Sequence, residues 1–132
     1  MGNFNLQIAT PEGVRFSGEA ESLLVRTADG DVEILKGHTE LLASVLTGRV
    51  RIKTATGERF ASASGGFLRV SKSEVSLVVT TFEFSDEIDL ARAKRAKTDA
   101  EELLKAANSD AAMRSAEAKL ARALCRIKVA EM

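Results

Sequence analysis

The chain contains no tryptophan or tyrosine, a single cysteine and a single proline, and its formal net charge is zero. It therefore lacks the aromatic stacking platform of single-strand nucleic-acid binders and any overall attraction to nucleic acid or to an anionic membrane. No apolar run approaches the roughly 20 residues that a membrane-spanning helix needs. We see no signal-peptide pattern, and Cys125 has no partner for an internal disulfide. These features predict a cytosolic protein in which Cys125 is a small, buried or half-buried apolar residue.

Groups of residues that carry catalysis are also missing. The only histidine, His38, belongs to no cluster with metal-ligand spacing, and no nucleophile stands beside a base. A glycine-rich phosphate loop is absent as well, so any nucleotide would be bound without being hydrolysed. We therefore predict a protein that is not an enzyme, requires no metal and does not bind nucleic acid.

Residues 1–84 have the pattern of a β domain. Short β-rich runs are separated by turn signals, which are TPEG at 10–13, ADGD at 28–31, LTGR at 46–49, ATGE at 55–58 and SGG at 64–66. Gly65 and Gly66 are expected to supply positive φ at the last of these turns. The residues that alternate with polar neighbours, and should form the core, include Phe4, Leu6, Ile8, Val50 and Ile52. This spacing predicts an antiparallel β-sandwich or flattened barrel.

Residues 85–132 contain neither proline nor glycine and are rich in alanine, which predicts helix. Ser85 is a candidate N-cap and is followed by two acidic residues that the helix dipole favours. The motif NSD is expected to interrupt the helix, with Asn108 as C-cap and Ser109 or Asp110 as the next N-cap. The fold class is therefore α+β, an antiparallel β-sandwich followed by an antiparallel two-helix hairpin.

Small apolar residues recur every three or four positions along both predicted helices and define the seam between them. They are Ala93, Ala96, Ala100, Leu103 and Ala107 in the first helix and Met113, Ala116, Leu120, Ala123 and Ile127 in the second. Alanine adds little apolar area, and burial yields about 0.8 kcal/mol per CH2, so the hairpin should be weakly held. It is either a small hairpin that never opens or an element with two arrangements that a ligand or partner can shift.

An acidic and a basic residue, Asp89 and Arg92, stand three positions apart at the start of the first predicted helix. Folding the hairpin about Ser109 brings Arg92 near Arg126, with Arg122 one turn away on the second helix. Three guanidinium groups and one carboxylate should thus converge. One interpretation is a surface ion pair worth about 0 to 1 kcal/mol. The other is an anion site, for which phosphate suits the guanidinium fork best.

Several segments of the chain resemble the epsilon subunit family of bacterial F-type ATP synthases. They are TPEG after the first strand, SGGFLRV at 64–70, EIDLARAKRA at 87–96 and the C-terminal RALCRIKVAEM. The resemblance runs over nearly the whole chain. Its most specific part is SGGFL, placed before a final strand and a helical hairpin.

The resemblance implies a non-catalytic rotor subunit in the central stalk, peripheral at the cytoplasmic face of the bacterial cell membrane. In this family the β domain contacts the gamma subunit and the c-ring. The hairpin either folds onto the β domain or extends along gamma, where it meets the catalytic alpha and beta subunits and inhibits ATP hydrolysis. A basic strip on the second helix would suit that contact; its members are Arg114, Lys119, Arg122, Arg126 and Lys128.

Some members of the family bind ATP in the folded hairpin as a regulatory ligand. Their signature is Ile or Leu, Asp, two free positions, Arg and Ala, which matches Ile88, Asp89, Arg92 and Ala93. The downstream basic positions match Arg122 and Arg126, and the acid before the helix matches Glu83. The resemblance implies that the arginines hold phosphates and that Asp89 organises them. Asp99 stands where some ATP-binding members carry a basic residue.

One loop of the β domain departs from the family. The family's GILPGH becomes EILKGH, so that Glu33 and Lys36 replace a glycine and a proline. The resemblance implies that Asp31 and His38 face the c-ring. Alternatively, His38 is a loop residue without a ligand.

A second hypothesis for the whole chain is a free-standing ATP-sensing module that uses the same hairpin site and has no rotor partner. The two hypotheses differ in the β domain. A rotor subunit needs an exposed apolar patch on one face of the sandwich for gamma, whereas an independent sensor does not.

Overall fold

The computed structural model describes residues 2–132. The strands in this range are β1 (Phe4–Thr10), β2 (Gly13–Ala20), β3 (Ser22–Thr27), β4 (Gly30–Leu35), β5 (Leu41–Val45), β6 (Gly48–Thr54), β7 (Gly57–Val70) and β8 (Glu74–Phe84). A short 3-10 helix (Ser85–Glu87) leads to α1 (Leu90–Ala106) and α2 (Asp110–Ala130). Within residues 2–132, no helix combines the length and the apolar character needed to cross a membrane.

The strands form one sheet that folds back on itself. Its order is β2-β1-β8-β7-β5-β3-β4, and β6 pairs with both β3 and β7. The strands β7, β5, β3 and β6 therefore complete a ring, and the predicted sandwich or flattened barrel is confirmed. All the strand pairs are antiparallel except β1 with β8, which run parallel. The parallel pair runs from Asn5 beside Glu74 to Ala9 beside Val78, so the β1–β2 turn that follows lies near the second half of β8.

The core of the sandwich comes from the strands alone. Leu6, Ile8, Val50 and Ile52 are buried as predicted, and Phe4 is half-buried against them. No hairpin side chain of the described chain belongs to this cluster. The predicted domain boundary after Phe84 remains a prediction, but the packing is consistent with it.

The prediction of a turn at SGG is wrong, because this motif lies inside β7, a continuous strand of 14 residues. Here β7 changes partner, since residues 57–63 pair with β6 and residues 66–70 pair with β5. The residues of β7 that face the core also switch from odd to even positions. They are Ala61 and Ala63 before the motif and Leu68 and Val70 after it. The motif therefore redirects a strand instead of ending one.

Two glycines make this redirection possible for different reasons. Gly65 has a φ of 66°, which L side chains rarely adopt, so the expectation of positive φ is right here. Gly66 does not have positive φ; instead, a Cβ there would overlap the carbonyl oxygen of Val78 and lie 2.8 Å from its carbon. The close approach of β8 therefore requires glycine at this position.

The helical part begins later than predicted. Ser85 opens a 3-10 turn and is not the N-cap of α1. The N-cap is Asp89, whose carboxylate accepts a hydrogen bond from the backbone N–H of Arg92 at 3.1 Å. Aspartate caps a helix as well as serine does, and here the chain must first leave β8 through the turn.

The tip of the hairpin follows the prediction at its second helix only. Ser109 is the N-cap of α2, and its hydroxyl oxygen accepts from the backbone N–H of Ala112 at 3.1 Å. Ala107, and not Asn108, is the C-cap of α1. Leu103 and Met113, predicted for the seam, are 48% and 44% exposed near this tip. The closely packed seam therefore consists of alanines; those fully buried are Ala93, Ala100, Ala116 and Ala123.

The hairpin is folded onto the sandwich through α2, which lies against β6 and β7. Cys125 is half-buried there, as predicted, with its sulfur 3.2 Å from the hydroxyl oxygen of Ser62. Ser62 faces the hairpin because the glycines at 65 and 66 shift the alternation of β7. The redirection of the strand thus creates the surface on which the hairpin docks.

Candidate functional site

A groove of about 560 Å3 lies between the sandwich and the base of the hairpin. Residues from the β1–β2 turn, the second half of β8, the start of α1 and the end of α2 line it. Its volume falls within the range of roughly 300 to 1,000 Å3 that is usual for small-molecule sites. The groove forms because α2 docks on β7, which leaves the start of α1 facing the second half of β8 across an open space.

The groove brings together six of the seven residues that were predicted to bind ATP. These six are Glu83, Ile88, Asp89, Arg92, Ala93 and Arg126. Arg122 does not line the groove; it is half-buried on α2, one turn before Arg126. The predicted convergence of three arginines on the two helices is therefore realised for two of them.

An ion pair crosses the groove from the hairpin to the sandwich. Nε of Arg126 donates a hydrogen bond to Oε1 of Glu83 at 2.7 Å, and the two side chains are 27% and 36% exposed. Glu83 lies on β8 and Arg126 lies near the end of α2. Partial burial reduces the screening of this pair, so it contributes to holding α2 against the sheet.

Asp89 acts on the backbone of α1 instead of pairing with an arginine side chain. As the N-cap, it fixes where α1 begins, and therefore where Arg92 projects into the groove. Among residues 2–132, no carboxylate lies within 4.0 Å of the Arg92 guanidinium. The surface ion pair of Asp89 with one of the arginines, which was one of the two interpretations above, does not form within residues 2–132. Arg92 is thus an available cation in the groove wall.

Sequence reasoning missed Arg15, which lines the groove from β2. Its Nη2 lies 2.8 Å from Oε1 of Glu87 in the 3-10 turn. The same carboxylate oxygen accepts the backbone N–H of Phe84 at 2.9 Å. Arg15 and Glu87 are 72 positions apart, so no local spacing links them. Only the parallel pairing of β1 with β8 brings β2 to this end of the groove.

The two residues predicted to face the c-ring lie at opposite ends of β4. Asp31 is exposed near its start, with Oδ1 3.8 Å from Nη1 of Arg26. His38 is half-buried beyond its end, with Nδ1 2.7 Å from the carbonyl oxygen of Thr39. Four residue steps along β4, at about 3.3 Å each, separate Asp31 from Leu35 by roughly 13 Å. His38 follows in a turn, in which its backbone N–H donates to the carbonyl oxygen of Leu35 at 3.1 Å. The structure does not bring them into one site.

The loop residues that depart from the family are held by neighbours. Glu33 pairs with Nη2 of Arg51, whose Nε also lies 3.6 Å from Glu58. The Lys36 side chain lies against Gly2. The negative charge of Glu33 is therefore partly balanced within the sandwich.

Comparison with known proteins identifies the family. Residues 3–85 match the model described as "ATP synthase, Delta/Epsilon chain, beta-sandwich domain", and residues 86–131 match "ATP synthase, Delta/Epsilon chain, long alpha-helix domain". The ATP synthase epsilon chain of Ruminococcus albus is 43% identical over 131 residues, covering 98% of both chains. The chain belongs to the ATP synthase epsilon family. The epsilon chain of Staphylococcus aureus is 36% identical over 133 residues and covers 100% of this chain and 99% of its own.

Chains of two solved structures share the fold over nearly the full length of this chain at much lower identity. A chain of the Euglena gracilis mitochondrial ATP synthase superposes with a TM-score of 0.85 at 18% identity, covering 100% of this chain and 83% of that one. A chain of the Tetrahymena thermophila enzyme gives 0.70 at 13% identity, covering 98% and 97%. The family resemblance predicted from the sequence is confirmed.

Proposed function

We propose that this epsilon-family chain is a non-catalytic rotor subunit in the central stalk of an F-type ATP synthase, peripheral at the cytoplasmic face of a bacterial membrane. The observation that carries the proposal is the 43% identity, over 98% of both chains, to a protein named ATP synthase epsilon chain. Since the similarity spans the sandwich and the hairpin, the role of the whole subunit is proposed and not that of one domain.

An exposed apolar row on the outer face of the sandwich supports a contact with the gamma subunit. Val14, Ala9, Val78 and Phe67 stand directly opposite one another on β2, β1, β8 and β7. Val14, Val78 and Phe67 are 56%, 38% and 47% exposed, and Leu42 on the same face of β5 is 71% exposed. Contiguous apolar surface of this kind marks protein contacts. It favours a rotor subunit over a free-standing ATP sensor, which needs no such surface.

The rotor role is tested by binding to the gamma subunit. Phe67→Glu places a charge within the apolar row, between Val78 and Leu42, and we expect it to abolish co-purification with gamma. Thr56→Glu adds the same charge in the exposed β6–β7 turn, away from the row, and should bind gamma like the unaltered protein. Equal binding by both variants would show that gamma does not use this face.

The hairpin and the groove are proposed to form an ATP-responsive brake. α1 and α2 supply part of the groove wall and the sandwich supplies the rest. A ligand that touches all of these walls binds the docked hairpin better than an undocked one, and so shifts the equilibrium toward docking. Undocked, the hairpin would extend along gamma, contact the alpha and beta subunits and inhibit ATP hydrolysis.

ATP suits the groove as a regulatory ligand. Arg92 and Arg126 offer guanidinium groups to phosphates, which such forks bind in a bidentate way. Ala93 and Ala96 are the groove-lining residues that follow on α1, and their small side chains leave room for the nucleoside. We propose that ATP is held there without hydrolysis. The contacts of Asp31 and His38 with the c-ring likewise remain proposals.

Titration calorimetry of the full chain with ATP tests the regulatory site. We expect Arg92→Ala to weaken binding about tenfold or more, because a hydrogen bond to a charged group contributes roughly 1.5 to 3 kcal/mol. Arg95→Ala removes an exposed arginine of α1 that does not line the groove and should leave the affinity unchanged. Unchanged affinity in Arg92→Ala would refute the site. Absence of binding in the unaltered protein would refute ATP regulation but not the rotor role.

A further inference from the structure

We propose that Arg15 of β2 is a third phosphate-binding arginine of the groove, so that bound ATP is gripped by the sandwich as well as by the hairpin. The inference rests on the proposed ATP site and adds to it a residue from the β domain. Arg15, Arg92 and Arg126 line one groove but come from β2, α1 and α2 respectively. A ligand that engages all three connects the two parts of the protein directly.

The carboxylate partners of the three arginines determine which guanidinium groups are available to an anion in the groove. Arg126 is paired with Glu83, Arg15 is paired with Glu87, and Arg92 has no carboxylate within 4.0 Å in residues 2–132. The lining contains one carboxylate more than it contains arginines, because Glu12 and Asp89 also belong to it. One available guanidinium cannot balance a triphosphate. The paired arginines must therefore turn part of their donors toward the phosphates.

Arg15 is able to do this without leaving Glu87. A guanidinium has five N–H donors in a fixed fork, and Nη2 is the only nitrogen of Arg15 that donates to Glu87. The side chain of Arg15 is 31% exposed, and its partner oxygen is shared with the N–H of Phe84. Charge-assisted bonds from the remaining donors to a phosphate are stronger than those that they make to water.

The groove has few other sources of positive charge. The N-terminus of α1 opens toward it, but Asp89 already caps that terminus. Arg92 is the one basic residue that α1 contributes to the lining of the groove. Arg15 therefore supplies from the strand side a cation that α1 does not supply in this chain.

A purely structural role for Arg15, as a latch that holds the 3-10 turn through Glu87, makes a different prediction. Glu87→Gln removes the charge that pairs with Arg15 but keeps an oxygen to accept the N–H of Phe84. If Arg15 is a phosphate ligand, this variant leaves the guanidinium freer to meet ATP. If Arg15 is only a latch, Glu87→Gln damages the site as much as the loss of Arg15 does.

The test is calorimetric titration of ATP into four forms of the full chain. We expect Arg15→Gln to weaken binding about tenfold, as the loss of a charged hydrogen bond requires. Glu87→Gln should bind ATP as tightly as the unaltered protein or more tightly. Arg69→Gln, which removes an exposed arginine on the outer face of β7, should have no effect.

The possible outcomes separate this inference from the one on which it rests. Equal affinity of Arg15→Gln and the unaltered protein overturns the inference and leaves the ATP site intact, and equal weakening by Arg15→Gln and Glu87→Gln makes Arg15 a latch. No binding by the unaltered protein overturns both proposals. Arg15→Lys keeps the positive charge but not the guanidinium fork, and it should bind ATP with intermediate affinity. If thermal unfolding shows that Arg15→Gln is misfolded, Arg15→Lys takes its place in the test.

Discussion

Gly66 illustrates how one residue can determine a site to which it does not belong. The carbonyl of Val78 occupies the space where a side chain at this position would lie. With Gly65, it lets β7 and β8 turn the Ser62 and Glu83 side chains toward the hairpin. Those two side chains make the contacts with α2. A substitution here would therefore affect both the stability of the sandwich and the docking of the hairpin.

We predict that Gly66→Ala lowers the free energy of unfolding by about 2 kcal/mol or more, because the backbone of β8 must move to admit a methyl group. Gly18→Ala is the matched control. Gly18 also lies in a strand, but the nearest atom to an added Cβ is 3.8 Å away, on Phe16. Urea unfolding midpoints of the two variants decide the matter. A midpoint for Gly66→Ala equal to that of Gly18→Ala would contradict the close approach.

The residues around Asp89 show which side-chain contacts of the site could be predicted from the sequence alone. The spacing placed Asp89, Arg92 and Arg126 together, because helical geometry is regular enough to predict neighbours across a hairpin. It could not reveal that Asp89 bonds to the backbone, which depends on where α1 begins, or that Arg126 pairs with Glu83, which depends on how α2 docks on the sheet. Arg15 lay beyond prediction, because its position depends on which strands pair.

At the scale of elements, the hairpin is held by small and polar contacts. Its seam is built mostly of alanines, and Val129 is the one larger apolar side chain that the hairpin buries fully in residues 2–132. Its docking to the sheet includes the contacts of Ser62 with Cys125 and of Glu83 with Arg126. Partly exposed ion pairs contribute only about 0 to 1 kcal/mol. This is consistent with the interpretation that the hairpin has a second arrangement of similar energy. An anion that contacts both helices and the sheet would shift the equilibrium toward the docked arrangement.

Cys125 reports on this equilibrium, because it is the only cysteine and is half-buried at the interface of α2 with β7. We predict that a thiol reagent labels it slowly and that ATP at about 100 times its Kd slows labelling by up to roughly 100-fold, through stabilisation of the docked state. The loss of free thiol over time, or the mass shift of the labelled protein, gives the rate of labelling.

The control moves the thiol to the solvent side of the same helix. In a Cys125→Ser background, Ala118→Cys is exposed and should be labelled quickly with or without ATP. If saturating ATP left the labelling rate of Cys125 unchanged, the groove would not be coupled to docking.

For the whole molecule, the change in residue pattern near position 84 predicted the two-part architecture correctly, because strand and helix periods are strong signals. The same patterns did not predict β2, β4 or β5, nor the single long strand through SGG. Glycine in a sequence marks unusual backbone, and only the neighbouring strands decide whether the result is a turn or a redirected strand. The class of fold was therefore predictable, but the pairing that assembles the groove was not.

The arrangement of the core leads to a prediction about the two parts of the chain. We expect residues 1–84 alone to unfold cooperatively, because every member of the sandwich core lies within them. The last of these, Phe84, packs edge-on against Phe82 at 5.0 Å and beneath the Arg59 guanidinium at 3.5 Å, and both neighbours remain after truncation. Circular dichroism during heating measures this transition. A broad, non-cooperative loss of β signal would mean that the hairpin is part of the folding unit, and a hairpin required for folding could not undock as the proposed brake demands.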